Sequence, residues 1–260
     1  MALMDQVLAA AAPCLAGKTV EELMVGISLI GCCLSDGSVG VSYVMREELP
    51  NGCSAFPFAQ QAEGKPAGEI AGWVVSGGDD VQRAIGAAVL DAASRSVAGI
   101  ADDEKSGQPF GVEIGREDTV GMVGYIRPVA ARIKTMAGKL AVFDHGVYLR
   151  GGAPDVFPTE QEKDLLPACD VVILSGTTTI NGTIDSLLEL CQNAREIVLV
   201  GTSTPMFPEG FRDTKVSRLA GAWWKNEHRR EIFKLISLAA GISSLSPYMI
   251  HKNAVVTHKI

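Results

Sequence analysis

The sequence predicts an α/β protein in which an α+β region precedes a region built on a parallel sheet. Residues 1–100 combine helical segments with one β-hairpin, and residues 101–117 are charged and glycine-rich, as linkers often are. Residues 118–260 alternate apolar, strand-like runs with helical segments. Such alternation is typical of parallel strands joined by helices. We therefore predict two domains, 1–100 and 118–260, joined by the linker 101–117.

The first region is predicted to place helices around a hairpin. Two runs rich in β-forming residues, LMVGISLIGCCL and VGVSYVM, flank residues 35–38 (SDGS). An Asp-Gly pair between such runs is a strong hairpin signal, because tight hairpin turns require a positive φ. Helices are predicted over residues 3–16, over residues 68–75, and from a cap at Asp79 or Asp80 to about Ser96.

The second region reads as repeated strand–helix units. Its strand-like runs are short and apolar, and most are followed by a loop and a helical pattern. The tail from about residue 245 is predicted to add an edge strand. The predicted strands are TVGMV (119–123), KLAVFDHG (139–146), DVVILSG (170–176), REIVLVG (195–201) and RLAGAWW (218–224), and the predicted helices lie near residues 127–138, 159–169, 183–194 and 226–240.

Composition and charge argue against two classes of partner. The chain has 260 residues, 20% of them charged, and a net charge of −7. Nucleic-acid-binding proteins usually carry a basic patch, and the densest basic run here, residues 225–230 (KNEHRR), contains an acid and reads as a solvated helix face. No stretch approaches the roughly 18 apolar residues of a membrane span. We expect neither nucleic acid nor membrane as a partner.

The first residues bear on the compartment. The stretch MALMDQVLAAAAPCLAGK is apolar, but no basic segment precedes the apolar run, and it carries Asp5. This pattern favours an amphipathic helix over a secretory signal peptide. We expect a cytoplasmic protein whose cysteines are reduced.

The six cysteines do not follow a metal-binding pattern. None belongs to a C-x-x-C pair or has histidine at zinc-finger spacing. Cys32 and Cys33 are adjacent in a predicted strand, so their side chains are expected on opposite faces of the sheet. Cys169 and Cys191 lie beside apolar runs and are predicted to be small core residues.

Candidate site residues follow the predicted strands, because open parallel sheets bind ligands outside the carboxyl ends of their strands. Gly121 and Gly124 resemble part of a dinucleotide fingerprint, but Arg127 and a proline stand where a third glycine would open the helix. Asp144 follows Gly124 by 20 residues, where a ribose-binding acid is often found. Three alternatives remain: a nucleoside such as that of S-adenosylmethionine, a different ligand, or glycines that serve only a tight turn.

A second candidate is the threonine loop, residues 177–182 (TTTING), between the strand DVVILSG and its helix. The unpaired backbone N–H groups at a helix start carry partial positive charge and can receive an anion. The hydroxyl of Thr177 and the amide of Asn181 add polar groups. The alternative is local: Asn181 or Thr183 caps the helix while glycine turns the chain.

Two further features could complete the same pocket. The stretch GTSTPMFP (201–208) repeats the theme with Thr202, Ser203 and Thr204, and two such loops flank one pocket if their strands are neighbours. His145 follows Asp144 and is a candidate general acid or base, as histidine often is in enzymes, although a lone histidine is often incidental. At the end of the hairpin, Glu47 either reaches across to this crevice or belongs to a solvated turn.

The stretch CDVVILSGTTTINGTIDSLLELCQNAREIVLVGTSTPMFP resembles the core of the DUF364 family, whose label refers to heavy-metal chelation. The stretches GISLIGCCLSDGSVGVSYV and AIGAAVLDA resemble the DUF4213 domain that precedes it. The resemblance implies a domain similar to the enolase N-terminal domain, followed by a Rossmann-like domain, with a ligand cleft lined by both. It also implies a role in heavy-metal handling, or in making flavins, pterins or siderophore-like chelators.

We therefore expect a small-molecule ligand between the two domains, with Asp144 or His145 exchanging protons. The alternatives are direct metal binding by residues such as Cys32, Cys53, Asp144, His145 and Glu47, or a sensor without catalysis; the cofactor stays open. Two alternatives are open for Trp223 and Trp224: an apolar surface through which a homodimer forms, or the core. The predicted ligand-binding residues are Gly124, Tyr125, Arg127, Ser175, Gly176, Thr177, Asn181, Thr183, Thr202, Ser203, Thr204 and Glu47.

Overall fold

A computed structural model describes residues 2–45, 56–103, 108–149, 151 and 155–258. It contains a small antiparallel sheet of three strands and a large sheet of eight. The first region comprises α1 (Leu3–Leu15), β1 (Val20–Val25), β2 (Leu29–Leu34), β3 (Val39–Tyr43), α2 (Ala67–Ala71), α3 (Trp73–Ser76) and α4 (Asp80–Ser94).

The small sheet has one more strand than predicted. The run LMVGISLIGCCL is divided between β1 and β2, because the chain reverses at residues 26–28. The N–H of Gly26 donates to the carbonyl of Leu29 at 2.9 Å. A Cβ on Gly26 would lie 2.6 Å from the carbonyl oxygen of Ile236, so only glycine fits here. The predicted hairpin is present between β2 and β3, where Gly37 has φ +81°.

Helix α4 packs unusually close to the small sheet. A Cβ on Gly40 of β3 would lie 2.2 Å from the carbonyl oxygen of Ala88, so the helix can approach only a glycine. Ala88 and Ala92 of α4 lie opposite Gly40, whereas Gly86 lies against Val74 of α3. Asp79 provides the predicted cap, since its Oδ1 accepts the N–H of Gln82 at 2.8 Å.

The rest of the chain comprises β4 (Ala101–Asp102), β5 (Thr119–Val123), α5 (Arg127–Ile133), β6 (Lys139–Phe143), α6 (His145–Leu149), β7 (Val156–Phe157), α7 (Glu162–Leu165), β8 (Val171–Ser175), α8 (Ile184–Leu190), β9 (Glu196–Val200), β10 (Arg218–Trp224), α9 (Arg229–Ser237), α10 (Ile242–Leu245) and β11 (Met249–Val255).

The large sheet has the order β4-β11-β10-β9-β8-β5-β6-β7, and β5 to β10 run parallel. Numbered from β5, the parallel strands follow the order 3-2-1-4-5-6 of doubly wound sheets, whose direction of winding switches between β5 and β8. The predicted fold class, an α+β region before a parallel-sheet region, is confirmed.

The edge of the large sheet differs from the prediction. The tail forms β11, but β11 lies between β10 and β4 and is not an edge strand. The edge is β4, which comes from the segment predicted as a linker. Val112 and Ile114 of that segment are buried in the core as well. The division into domains at 101–117 stays a prediction.

One hydrophobic cluster runs through both regions. Val7 of α1 and Leu90 of α4 share it with Leu174 of β8 and Leu199 of β9, and all four are fully buried. Burying one such side chain is worth about 1.5–3 kcal/mol. The first region is therefore attached to the large sheet by packing as well as by the connecting chain.

The two adjacent tryptophans belong to this packing. Trp224 is fully buried, and its indole N–H donates to Asp91 of α4 at 2.8 Å. The ring of Trp223 lies under the Lys252 ammonium, 4.1 Å from the ring centroid, and near the guanidinium of Arg95. The core interpretation fits Trp224, and the homodimer stays a prediction. In the part of the chain that is described, each helix is too short or too polar to span a membrane.

The first region lies against the carboxyl ends of the parallel strands. Arg83 of α4 contacts Ile180, which follows β8, and Tyr43 of β3 contacts Ser203, which follows β9. Val39 of β3 contacts Asn226, which follows β10. The first region thus covers the edge at which such sheets bind their ligands.

Candidate functional site

The described candidates that follow β5, β6, β8 and β9 lie at one edge of the sheet, because these four strands are consecutive neighbours. Gly124 joins the loop after β5 to β8. It has φ +88°, and a Cβ there would lie 2.7 Å from the Cβ of Ser175. A larger residue would both strain the backbone and push the loops apart. This geometry supports a tight turn, the structural alternative for this glycine.

The loops after β8 and β9 also touch. Gly176 is buried, and a Cβ on it would lie 2.5 Å from the backbone nitrogen of Thr204. The two hydroxyl-rich loops are therefore in direct contact, as expected if their strands are neighbours.

Most hydroxyls of the threonine loop bond within the loop itself. The Thr177 hydroxyl donates to Ser175 Oγ at 2.8 Å, and Thr178 donates to the Ser175 carbonyl at 2.7 Å. Thr179 donates to the carbonyl of Gly176 at 2.7 Å. These bonds close a 3-10 turn over residues 176–179. Thr178 and Thr179 are buried, whereas Ser175 and Thr177 are partly accessible to a ligand.

Asn181 and Thr183 form a second local turn. Asn181 Oδ1 accepts the Thr183 hydroxyl at 2.8 Å and its backbone N–H at 3.2 Å. Thr183 precedes α8, but its side chain makes no capping bond to the helix. The capping prediction is therefore wrong for both residues, because the Asn181 amide oxygen stabilises the turn before α8 and does not cap the helix. Its role in ligand binding, and that of Thr183, stay predictions.

Asp144 connects the loop after β5 to the start of α6. Its Oδ2 accepts the N–H of Tyr125 and its Oδ1 accepts the N–H of Val147, both at 2.8 Å. A carboxylate with a backbone donor on each oxygen is oriented toward its own loops, not toward a ribose. His145 begins α6 and is exposed, as is Arg127 at the start of α5. Proton exchange by Asp144 or His145 stays a prediction.

The loop after β9 faces in two directions. Ser203 is buried, and its Oγ accepts the N–H of Tyr43 at 2.9 Å. Thr204 Oγ1 is buried without a hydrogen-bond partner among the described residues. Gly201 has φ +117° with open space where its Cβ would be, and Thr202 is half-buried. The accessible part of this loop is therefore residues 201 and 202.

The outer edge of β3 is closed by three side chains, an arrangement that sequence reasoning missed. Every second backbone N–H of β3 points away from β2 and would remain unpaired in a bare edge strand. The acceptors come from α4, from the loop after β9 and from the loop after β10. The bonds are Val39 to Asn226 Oδ1 at 3.1 Å, Val41 to Asp91 Oδ2 at 2.8 Å and Tyr43 to Ser203 Oγ at 2.9 Å.

Asp91 is the second residue that the sequence did not single out. It is 2% exposed, and its Oδ1 has no partner within the described part of the chain. Burial raises the pKa of its carboxyl well above the usual range, although the Val41 N–H and the Trp224 indole oppose that shift. The signal for it in the sequence is an acid on the apolar face of α4, within VLDAAS.

The cysteines within the described residues do not provide a metal site. Cys32 and Cys33 lie on opposite faces of β2, as predicted, and belong to different hydrophobic clusters. Burial raises the pKa of Cys169 to about 11 and that of Cys191 to about 12, which disfavours the thiolate that binds metals. Both are core residues, as predicted.

The other described candidates for metal binding do not form a metal site either. No group of three His, Cys, Asp or Glu side chains converges among residues 2–45, 56–103, 108–149, 151 and 155–258. Asp144 is occupied by two backbone N–H groups. Glu47 and Cys53, which were also predicted to reach this site, lie outside the described residues. The donor set that is described does not fit a bare metal ion.

Comparisons with known proteins agree with the predicted family. The profile of DUF364, described as "Putative heavy-metal chelation", matches residues 108–255, and that of DUF4213, with the same description, matches residues 7–94. An uncharacterized protein of Methanocaldococcus jannaschii is 30% identical over 147 residues, which span 55% of this chain and 54% of that relative. The chain thus matches about half the length of this relative.

Two crystal structures of DUF364-family proteins of unknown function share the fold. The protein from Pyrococcus horikoshii has a TM-score of 0.78 at 21% identity, covering 98% of this chain and 100% of its own. The protein from Desulfitobacterium hafniense has a TM-score of 0.79 at 22% identity, covering 97% of this chain and 98% of its own. At these identities the likeness extends to the fold. The DUF364 profile matches more than half of the residues of this chain. The chain therefore belongs to the DUF364 family.

Proposed function

We propose that this chain binds a small anionic molecule of the metal-chelating kind at the carboxyl edge of β5, β8 and β9. The observation that carries the proposal is the contact between the hydroxyl-rich loops after β8 and β9, next to the point between β5 and β8 at which the winding of the sheet switches. Such switch points are where open α/β sheets bind ligands. The first region covers the neighbouring part of this edge, so a ligand bound here would contact both regions.

The charges of the accessible groups favour an anion. Arg127 is an exposed cation three residues after Gly124. The Ser175 hydroxyl, whose oxygen accepts the Thr177 hydroxyl, and the half-buried Thr202 can donate hydrogen bonds to carboxylate or phenolate oxygens. The carboxylate of Asp144 already accepts two backbone N–H groups, so it offers little to a cation. Gly201, in the same loop as Thr202, has open space where its Cβ would be.

A chelator reconciles this chemistry with the family's description. The described side chains do not offer a group of metal ligands. A molecule that supplies its own oxygen donors would bring a metal ion to the protein without needing protein ligands. In this proposal the chelator, and not the protein, coordinates the metal ion. Arg127 would pair with the anionic chelator, and the hydroxyls would orient it.

Calorimetric titration tests the proposal with defined compounds. We suggest citrate and 2,3-dihydroxybenzoate, each free and as its Fe(III) complex, with S-adenosylmethionine and FeCl3 in a weak buffer as comparisons. We expect the chelators to bind and S-adenosylmethionine to fail. Tight, stoichiometric binding of the metal without a chelator would contradict the proposal and favour direct chelation.

Two substitutions of the same kind localise the site. Arg127→Ala should weaken chelator binding by about tenfold, because an ion pair at a partly desolvated site contributes about 1.4 kcal/mol or more. Arg116→Ala is the matched control, since Arg116 is also exposed but precedes β5 at the opposite end of the strand. Equal effects of the two substitutions would place binding elsewhere.

The fate of the bound ligand would show whether this protein is an enzyme or a sensor. His145 is exposed beside Asp144 and is the available group for proton exchange. Mass spectrometry of the compound that co-purifies with the protein, before and after incubation, would reveal turnover. A ligand that stays unchanged would favour the sensor.

A further inference from the structure

We infer that Arg83 is a positioning residue for the proposed ligand site: from the first region, it fixes the exit of the threonine loop. The ligand consequence rests on the proposed function, whereas the fixing of the loop can be tested without a ligand. Arg83 lies on α4, far from the strand ends in sequence, and no motif singled it out.

The Arg83 guanidinium joins three groups. Its Nε donates to the carbonyl of Ile180 at 2.6 Å, and its Nη1 donates to the carbonyl of Gly77 at 2.9 Å. Its Nη2 pairs with the carboxylate of Asp80. The last two partners belong to the first turn of α4 and the turn before it, so they hold the guanidinium in place. The Nε donor then points at the threonine loop.

Ile180 is the residue at which the loop needs an external partner. The 3-10 turn ends at Thr179 and α8 begins at Ile184, so the Ile180 carbonyl lies between two helices. Ile180 itself is 1% exposed. A backbone carbonyl in such surroundings needs a donor, because an unpaired buried carbonyl is costly. Arg83 supplies that donor.

A second contact holds the same segment from another helix. The backbone N–H of Leu3, at the start of α1, donates to Asp185 Oδ1 at the start of α8, at 3.2 Å. Between the two contacts lies Gly182, which has φ +74° and open space where its Cβ would be. The first region therefore fixes the chain on both sides of its most permissive residue.

The geometry requires arginine at position 83. A guanidinium presents five donors in a planar fork and can serve three acceptors in different directions at once. A lysine ammonium keeps the charge but is a single point on a flexible stem. Arg83→Lys should keep the pair with Asp80 and lose the fixed bond to Ile180.

Hydrogen–deuterium exchange on the full chain tests the fixing of the loop. In Arg83→Gln, peptides covering residues 177–184 should exchange at least about fivefold faster, while peptides from β8 and β9 should not change, because local opening differs from global unfolding. Arg83→Lys should give an intermediate result, and it replaces Arg83→Gln if that variant does not fold. Arg116→Gln is the matched control. Unchanged exchange at 177–184, or an equal rise everywhere, would overturn the inference.

Titration with citrate and 2,3-dihydroxybenzoate tests the consequence for binding. A compound that binds the unchanged protein should bind Arg83→Gln about tenfold more weakly, although Arg83 is not placed among the ligand contacts. Equal affinity with a loosened loop would refute the positioning role. If neither compound binds the unchanged protein, the proposed function fails for them, and the exchange result alone decides whether Arg83 fixes the loop.

Discussion

The hydroxyl oxygen of Ser203 accepts the backbone N–H of Tyr43 at 2.9 Å, across 160 residues of sequence. This bond joins the loop after β9 to the edge of β3. Asp91 and Asn226 accept the other two outward N–H groups of the same strand. The loop that was predicted to bind a ligand therefore also binds the first region, and part of its polarity serves that purpose.

Replacing Ser203 by alanine should destabilise the fold. The Tyr43 N–H would lose its acceptor beside a residue that is 4% exposed, and an unsatisfied buried donor costs about 1–3 kcal/mol. Urea denaturation measures the change. Thr202→Ala is the matched control, because this neighbouring hydroxyl is half-buried and should cost about 0.5 kcal/mol or less. A Ser203→Ala variant of unchanged stability would show that water replaces the hydroxyl.

Asp91 should make the stability of the protein depend on pH. Burial raises its pKa in the folded state, so the folded protein retains a proton that the unfolded chain loses near pH 4. Because the folded state binds more protons above that pH, the free energy of unfolding falls as the pH rises toward the raised pKa. Asp91→Asn should remove this contribution. The free energy of unfolding of the variant, relative to that of the unchanged protein, should therefore rise from pH 4 upward.

Asp118 provides the opposite case and serves as a control. The Arg195 guanidinium, which bonds both of its oxygens at 2.8 Å, lowers the pKa of Asp118. This pair therefore contributes stability above the unfolded pKa, and the contribution is lost as the pH falls through the folded pKa. Asp118→Asn should be less stable than the unchanged protein at pH 7 and equal to it at pH 2. Parallel pH profiles for the two variants would contradict both assignments.

Alanine substitutions at two glycines with similar φ values distinguish the cost of backbone strain from the cost of steric crowding. Gly124 has φ +88° and a Cβ there would meet Ser175 at 2.7 Å, whereas Gly182 has φ +74° and open space. Gly182→Ala should cost about 1–2 kcal/mol from the left-handed backbone alone. Gly124→Ala should cost a further 1–3 kcal/mol or so, because the new methyl group overpacks the contact between β5 and β8. Equal costs in thermal unfolding would mean that the two loops can move apart.

The local features of this chain could be predicted, and the contacts between distant segments could not. The turn at Gly37 and the cap at Asp79 were predictable because their signals lie within four residues. The polar strand ends were predictable because a parallel sheet brings them to one edge. The bonds from β3 to Ser203 and Asn226 cross 160 and 187 residues, and no local pattern encodes such pairs. The placement of β11 inside the sheet had the same cause, since it depends on two residues of β4.

The role of Asp144 can be decided by comparing two substitutions. If Asp144 mainly connects the Tyr125 and Val147 N–H groups, Asp144→Asn should retain one bond and cost about 1 kcal/mol, and Asp144→Ala should lose both bonds and cost about 2 kcal/mol. Ligand affinity should then fall in the same order as stability, because both report the order of the loop after β5. If Asp144 exchanges a proton with a substrate, Asp144→Asn should lose turnover completely while keeping most of its stability. Urea denaturation and the co-purified ligand assay, applied to both variants, distinguish these outcomes. Only if Asp144 takes part in the chemistry should Asp144→Asn lose turnover without a matching loss of stability.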